Sequence, residues 1–301
     1  MSHSADHSLP TESRAMRWLR MIGADGVAWS LRRLHCPVSR EALVLEVGSG
    51  GNPYPRANVL LDAYEETRER HWVSLVVDRP FVLGYVEHLP FKTGAFDFLI
   101  ASHVLEHSRN PEQTLSEFQR VAKAGYIEVP DAFMERINPY KDHRLELTVR
   151  DGELLIRRKA SWVVDAELVE LYENRVKTVV TRELMRRRPF HFMVRYYWQR
   201  HIGYRVVNPQ EDTQWPPPPA GAQPTGDAGV NMRLRGWLIR ILRNAMSQRA
   251  KNREIDVFAL LCCPACQAQC DLQRSTDGLF CTVCQTSYPI RNGIPIMYLK
   301  R

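Results

Sequence analysis

The sequence predicts an α/β protein: a mostly parallel sheet with an antiparallel edge, followed by a small metal-stabilised tail. Three observations carry this. Short apolar runs alternate with helical stretches up to residue 207, a Pro-rich break follows at 208–230, and six of the seven cysteines lie between Cys262 and Cys284. Strands alternating with helices imply parallel βαβ units.

Taken in order, "ALVLEVG" (42–48) is a continuous apolar run ending in glycine, as a buried parallel strand requires. "NVLLDAY" (58–64), "FDFLIAS" (96–102) and "GYIEVP" (125–130) are three more such runs. The stretch "HVLEHSRNPEQTLSEFQRVAKA" between the last two suits a helical crossover. "LELTVRDGELLIRRK" (145–159) differs: two alternating runs flank Asp151-Gly152, the signature of a hairpin with a type I′ turn. "HFMVRYYW" and "GYRVVNP" read as two late strands at the antiparallel edge of the sheet.

The 301 residues suffice for one substantial domain, 1–207, and a smaller one. No apolar run reaches the length of a membrane span, and "MSHSADHSLPTESR" has neither a basic nor an apolar leader region. The expected location is therefore cytoplasmic, where clustered thiols point to metal rather than disulfides. The net charge of +7 suits an anionic partner such as RNA, a phosphorylated sugar or a lipid surface, and equally suits arginines spread over solvated faces.

Glu46-Val-Gly48-Ser-Gly50-Gly51 directly follows the first strand, where glycines let backbone approach a ligand at the sheet's carboxyl edge. Asp62 ends the next strand, placed to accept hydrogen bonds from ribose hydroxyls. A dinucleotide site needs a third glycine where this chain has Asn52-Pro53, which argues against NAD.

With "LPF", "FD" and "HVLEH" following in order, residues 40–130 resemble the class I S-adenosylmethionine-dependent methyltransferases. The resemblance implies a Rossmann-like fold and that cofactor. It places Glu46, Gly48 and Gly50 around the methionine part, Asp62 at the ribose, and Val86 and Glu87 beside the adenine. Gly51 and His103 join the cofactor-binding set. Two positions depart from the family pattern: Asn52 replaces a glycine, and Tyr85 stands where an acidic residue is common, stacking in place of a hydrogen bond.

Methyl transfer relies on positioning and needs a general base only for a nucleophile that holds its proton tightly. The candidates are His103, Glu106 and His107, after the fourth strand run, and His143 in "PYKDHRLEL". H-x-x-E-H is also an inverted zinc-protease pattern, which would need both histidines on one helical face. A third reading, by similarity to methyltransferases that use an acidic-x-x-Glu-His segment, has His103, Glu106 and His107 holding Mg²⁺; His107 merely capping or packing a helix is a fourth. "PDAFMERINPYKDHRLELTVRDGELLIRRK" is expected to shape the acceptor pocket, and loosely resembles methyltransferases of surface-glycan biosynthesis.

In the tail, Cys263-Pro-Ala-Cys266 and Cys281-Thr-Val-Cys284 are two C-x-x-C knuckles separated by fourteen residues. Two such turns complete a closed, structural Zn²⁺ site; redox cysteines are the competing reading. Cys262 and Cys270 are surplus. Together with "YPIRNGIPIMYL", residues 257–301 resemble the zinc-ribbon activator subunit of tRNA, rRNA and release-factor methyltransferases. That resemblance implies a ribbon which covers apolar surface and pairs with its partner's sheet, here on the chain's own methyltransferase domain. Residues 231–256 form a basic segment in which Leu234, Trp237, Leu238, Ile241, Leu242, Ala245 and Met246 make one apolar helical stripe. It suits docking on the protein's own core, or a peripheral membrane contact through 231–246.

The expected activity is methylation of a hydroxyl on a sugar or small metabolite destined for a surface glycan or natural product. An RNA or translation-factor acceptor is the alternative, against which the chain lacks an N-P-P-Y-type tetrad: "VPDAF" and "INPY" stand elsewhere. A non-catalytic scaffold is the third reading.

Overall fold

A computed structural model describes residues 9–67, 72–216, 245–269, 272–276 and 278–299. The main sheet has six strands: β1 (Val44–Val47), β2 (Val59–Asp62), β3 (Phe81–Leu83), β4 (Phe98–Ser102), β5 (Ala124–Pro130) and β8 (Met193–Gln199), in the order β3-β2-β1-β4-β5-β8. β1 pairs β2 and β2 pairs β3 in parallel, while β8 runs antiparallel to β5 along its whole length. Every residue of β1 and β2 is buried, Glu46 and Asp62 included, which is why these strands read as mostly apolar runs without alternation. β3 is too short to show a pattern of its own and was not legible as a strand.

The chain divides into two compact units. One contains residues 41–100 and 110–122 with the tail. Its helix α3 (Pro111–Val121) starts where Asn110 caps the Gln113 amide and Pro111 takes the first helical position. The crossover is thus shorter than the sequence suggests, because residues 103–110 are not α-helical.

In the same unit the tail carries a four-stranded antiparallel sheet of β10 (Gln273–Arg274), β11 (Gly278–Phe280), β12 (Ser287–Arg291) and β13 (Ile294–Pro295). Ile296 pairs in parallel with Leu83 of β3, and the Met297 amide donates to the Leu83 carbonyl at 2.7 Å. Ala57, Leu60, Phe81, Leu83 and Ile296 form one buried cluster. Leu261 pairs with Phe91, and Asn58 Nδ2 donates to Asn252 Oδ1 at 2.7 Å. The surplus Cys262 is a packing residue: its buried thiol donates to the Phe91 carbonyl at 3.0 Å, and burial pushes its pKa up to about 11.

The other unit holds residues 101–109 and 123–216 with the N-terminal helices α1 (Arg14–Met21) and α2 (Asp25–Leu31). β6 (Leu145–Arg150) and β7 (Glu153–Arg158) form the expected hairpin, and Asp151 (φ 53°) with Gly152 (φ 80°) supplies the two left-handed residues of its turn. The late strand "GYRVVNP" departs from expectation. Arg200 (φ 63°) breaks the extended run after β8, and β9 (Tyr204–Val206) pairs in parallel with β7, outside the main sheet.

Residues 208–216 pack against this unit: Trp215 Nε1 donates to the Lys159 carbonyl at 2.8 Å, and Arg144 bonds the carbonyls of Thr213 and Trp215. The remainder of the Pro-rich stretch lies outside the described residues, as do Leu234, Trp237, Leu238, Ile241 and Leu242 of the apolar stripe and Cys270. Met246 is exposed. Among the described residues, no helix is long and apolar enough to cross a membrane.

Candidate functional site

The glycine turn is built around Asp62. Gly48 (φ 64°) and Gly50 (φ 55°) adopt left-handed backbone that side chains disfavour. The Gly50 amide donates to Asp62 Oδ2 at 2.9 Å and the Tyr64 amide to Oδ1 at 3.1 Å. Asp62 is itself buried, so these two backbone donors fix its carboxylate inside the turn. A Cβ on Gly51 would sit 2.9 Å from the Ser74 carbonyl oxygen and 2.4 Å from Val73 Cγ1, so a side chain there would force that segment to shift. Glu46 is buried and its Oε2 accepts the Tyr54 amide at 2.7 Å, so it also fixes how "GNPY" leaves the turn. That is how the chain turns without the family's third glycine.

Ser49 supplies an observation the sequence did not suggest. Its Oγ is buried and makes no hydrogen bond among the described residues. A buried hydroxyl without a partner is costly, and a polar ligand in the turn would satisfy it. Val86 and Glu87 lie on a short 3-10 turn, Val86–His88. Tyr85, just before it, packs edge-on to Tyr64 (6.0 Å between centroids) and tilted against Tyr298 from the end of the tail (5.1 Å). Tyr298 in turn donates to the Ala63 carbonyl at 2.7 Å. The turn, the unpartnered hydroxyl, the carboxylate and the tyrosines fit a nucleoside cofactor with a polar tail.

In the other unit, the "HVLEH" segment follows the end of β4. His103 has φ 58°, held by its amide donating to the Glu128 carbonyl at 2.8 Å. Leu105–His107 is a 3-10 turn, so His103 and His107 do not share a helical face and the protease-like reading fails. His103 is half-exposed at its ring, and its Nδ1 lies 3.2 Å from Glu106 Oε1. Burial works to lower the His103 pKa, but the Glu106 hydrogen bond and charge outweigh it and hold it above 6.5. Burial alone would raise Glu106, yet the His103 hydrogen bond and three surrounding imidazoles hold it down to about 2. Burial, then His143, pushes His107 down to about 4.

His143 is buried, with Nδ1 2.7 Å from Glu135 Oε2; Glu135 Oε1 accepts from Lys159 Nζ at 2.6 Å. The Arg144 amide donates to the Glu106 carbonyl at 2.8 Å, which joins the His143 loop to the Leu105–His107 turn. Glu135 and Lys159 escaped the sequence reading because a buried lysine looks like any surface lysine until the fold encloses it. Asp131 is committed elsewhere: it caps helix α4 (Ala132–Ile137) and accepts from Thr148 Oγ1 at 2.8 Å.

The tail's thiolates converge. Cys263 Sγ lies 3.5 Å from Cys284 Sγ and Cys266 Sγ 3.6 Å from Cys281 Sγ, with all four within 4.8 Å of one another. Zn–S bonds of about 2.3 Å set tetrahedral S–S edges of roughly 3.8 Å, so the four sulfurs fit structural zinc.

Residues 45–127 match the family described as a methyltransferase domain, and residues 255–293 match that of Trm112p-like proteins. No curated protein matches the chain. Among solved structures, it is similar to a candidate methyltransferase from an antibiotic biosynthesis pathway of Anabaena variabilis. There the identity is 16% and the TM-score 0.29, over 42% of this chain and 49% of that one. The chain thus spans about half the length of that relative. A complex between the Haloferax volcanii Trm112 methyltransferase activator and a candidate methyltransferase matches at 16% identity and TM-score 0.33, over 64% of this chain and all of the matched chain. An S-adenosylmethionine-dependent methyltransferase of Thermotoga maritima matches at 21% identity and TM-score 0.28, over 58% and 74%.

Proposed function

We infer that this chain, which carries a methyltransferase domain at residues 45–127 and a Trm112p-like domain at its C-terminal end, methylates a hydroxyl group with S-adenosylmethionine. The acceptor we favour is a sugar or small hydroxylated metabolite. Gly48, Gly50, Gly51 and Ser49 would hold the cofactor's methionine part, Asp62 its ribose, and Val86 and Glu87 its adenine. When bound, the cofactor supplies an electrophilic methyl group on sulfur.

The observation that supports a hydroxyl acceptor is the state of His103. A hydroxyl must lose its proton to become a good nucleophile. With Nδ1–H donated to Glu106, the His103 ring presents Nε2 as the proton acceptor, and a raised pKa makes it a stronger base once neutral. A planar nitrogen acceptor would need a hydrogen-bonding clamp at the end of β4, where this chain has Ser102-His103-Val104-Leu105.

A second reading, an RNA or translation-factor acceptor, is favoured by the Trm112p-like domain together with the net charge of +7. The test has two stages. Titration calorimetry on the full chain should show S-adenosylhomocysteine binding, weakened roughly tenfold or more by Asp62→Ala, the size expected for lost hydrogen bonds of about 1–3 kcal/mol. No binding by the wild type would mean a scaffold. Labelled-methyl transfer is then compared across glycans, small hydroxylated metabolites, tRNA and release factors; label in RNA or protein alone replaces the first reading with the second.

A further inference from the structure

The Leu105–His107 turn and the loop before β6 bring three ligating groups together within one unit. A carboxylate oxygen of Glu106 and one ring nitrogen each from His107 and His143 lie within 4.8 Å of one another. The two histidine rings meet edge to face, 4.7 Å between centroids.

Two further observations separate this cluster from an ordinary polar core. The first is Glu106. It is 1% exposed; Oε1 is engaged by His103, but Oε2 is buried with no hydrogen-bond partner among the described residues. An ionised oxygen in that state lacks the donor or cation that normally offsets its desolvation. The second is the support behind the histidines. His143 Nδ1 is held by Glu135, itself fixed by Lys159, and the Asp142 backbone carbonyl bonds His107. Carboxylates and carbonyls behind imidazoles are how proteins orient metal-ligating histidines and set their tautomer.

We propose that Glu106, His107 and His143 bind one divalent first-row transition ion such as Mn²⁺, Fe²⁺, Co²⁺ or Zn²⁺. Two imidazoles with one carboxylate favour these ions over Mg²⁺ and Ca²⁺, which take oxygen ligands. Three protein ligands leave coordination positions open, unlike the four thiolates of the tail. The set differs from the His103–Glu106–His107 grouping that the sequence suggests for Mg²⁺, because His103 already bonds Glu106 and His143 takes its place. The site goes beyond the methyl-transfer reading and does not rest on it, since metal binding is measured on the protein alone.

The test uses the full chain with its tail saturated with zinc. Mn²⁺ is titrated in, with the free ion followed by electron paramagnetic resonance. One equivalent should bind, and pulsed measurements on the wild-type complex should show coupling to two imidazole nitrogens. His143→Ala should abolish binding and Glu106→Gln should weaken it at least tenfold, with the zinc content of the tail unchanged. Three results would overturn the proposal. The first is a wild-type protein taking up no Mn²⁺, Co²⁺ or second Zn²⁺. The second is bound Mn²⁺ without nitrogen coupling, a readout independent of how any variant folds. The third is binding that survives both His107→Ala and His143→Ala.

Discussion

His103 is a non-glycine residue in left-handed backbone, a conformation that costs free energy and persists only where its surroundings impose it. Here the imposing contact is its own amide on Glu128, and the result aims the ring at Glu106. Two substitutions separate the backbone from the proposed base. His103→Asn keeps a residue that tolerates this φ but removes the imidazole; turnover should fall about 10²- to 10⁴-fold, the range for a lost general base. His103→Ala should do the same and also lower the melting temperature. Calorimetric affinity for S-adenosylhomocysteine should remain near wild type in both if His103 acts as base; a clear loss would assign it to cofactor binding instead. Full turnover by His103→Asn would show that His103 is not the base.

At the scale of the element, β5 hides a charge inside what reads as an apolar strand. Glu128 is fully buried; Arg32 Nε donates to its Oε2 at 2.7 Å and Arg32 Nη2 to its Oε1 at 3.0 Å, while Tyr126, Ser102 and His103 face it too. Burial acts to raise the Glu128 pKa, but the Arg32 hydrogen bonds and charge hold it below the ordinary 4.5. A carboxylate depressed in the folded state stabilises the fold above its ordinary value, and that contribution disappears as pH falls from about 4.5 through the folded value. Melting temperature of the wild type should therefore drop on acidification across that window, and Glu128→Gln should flatten the drop while lowering stability at pH 7. Arg32→Ala leaves the carboxylate buried without its guanidinium partner, at a cost of about 3–5 kcal/mol in denaturant titration. A Glu128→Gln protein with an unchanged acid profile would show that another carboxylate governs it.

At the scale of the whole molecule, the tail is a structural part of the unit it ends in. It adds Ile296 to the edge of β3 and its apolar cluster, and it lays Tyr298 against Tyr85. Zinc held by the four cysteines would offset a core too small to hold the ribbon by itself. Removing zinc, or making the Cys281→Ser, Cys284→Ser double variant, should unfold the ribbon and uncover Leu83 and Phe81. Loss of Tyr298 from the tyrosine cluster should then weaken S-adenosylhomocysteine binding, and Tyr298→Ala alone should weaken it severalfold with zinc still bound. A domain ending at residue 216, which keeps Thr213 and Trp215 in their contacts, should aggregate and bind the cofactor poorly. If it is as soluble and as competent as the full chain, the tail acts on another protein instead of its own.

The amino-acid sequence by itself determined the features written in local chemistry. The strand after Ala42, the glycines before Asp62, the turn at Asp151-Gly152 and the two C-x-x-C knuckles each depend on neighbours in the chain, so spacing and residue type reveal them. Only the tertiary structure decided what depends on distant residues. β9 pairs with β7 because the hairpin offers an open edge, and no local pattern in "GYRVV" states which edge it meets. His143 joins Glu106 and His107 across 36 intervening residues, and Arg32 reaches Glu128 across nearly a hundred. Buried charges carry no mark in a sequence, because burial is a property of what surrounds a residue. Sequence periodicity records only which side of its own element that residue occupies.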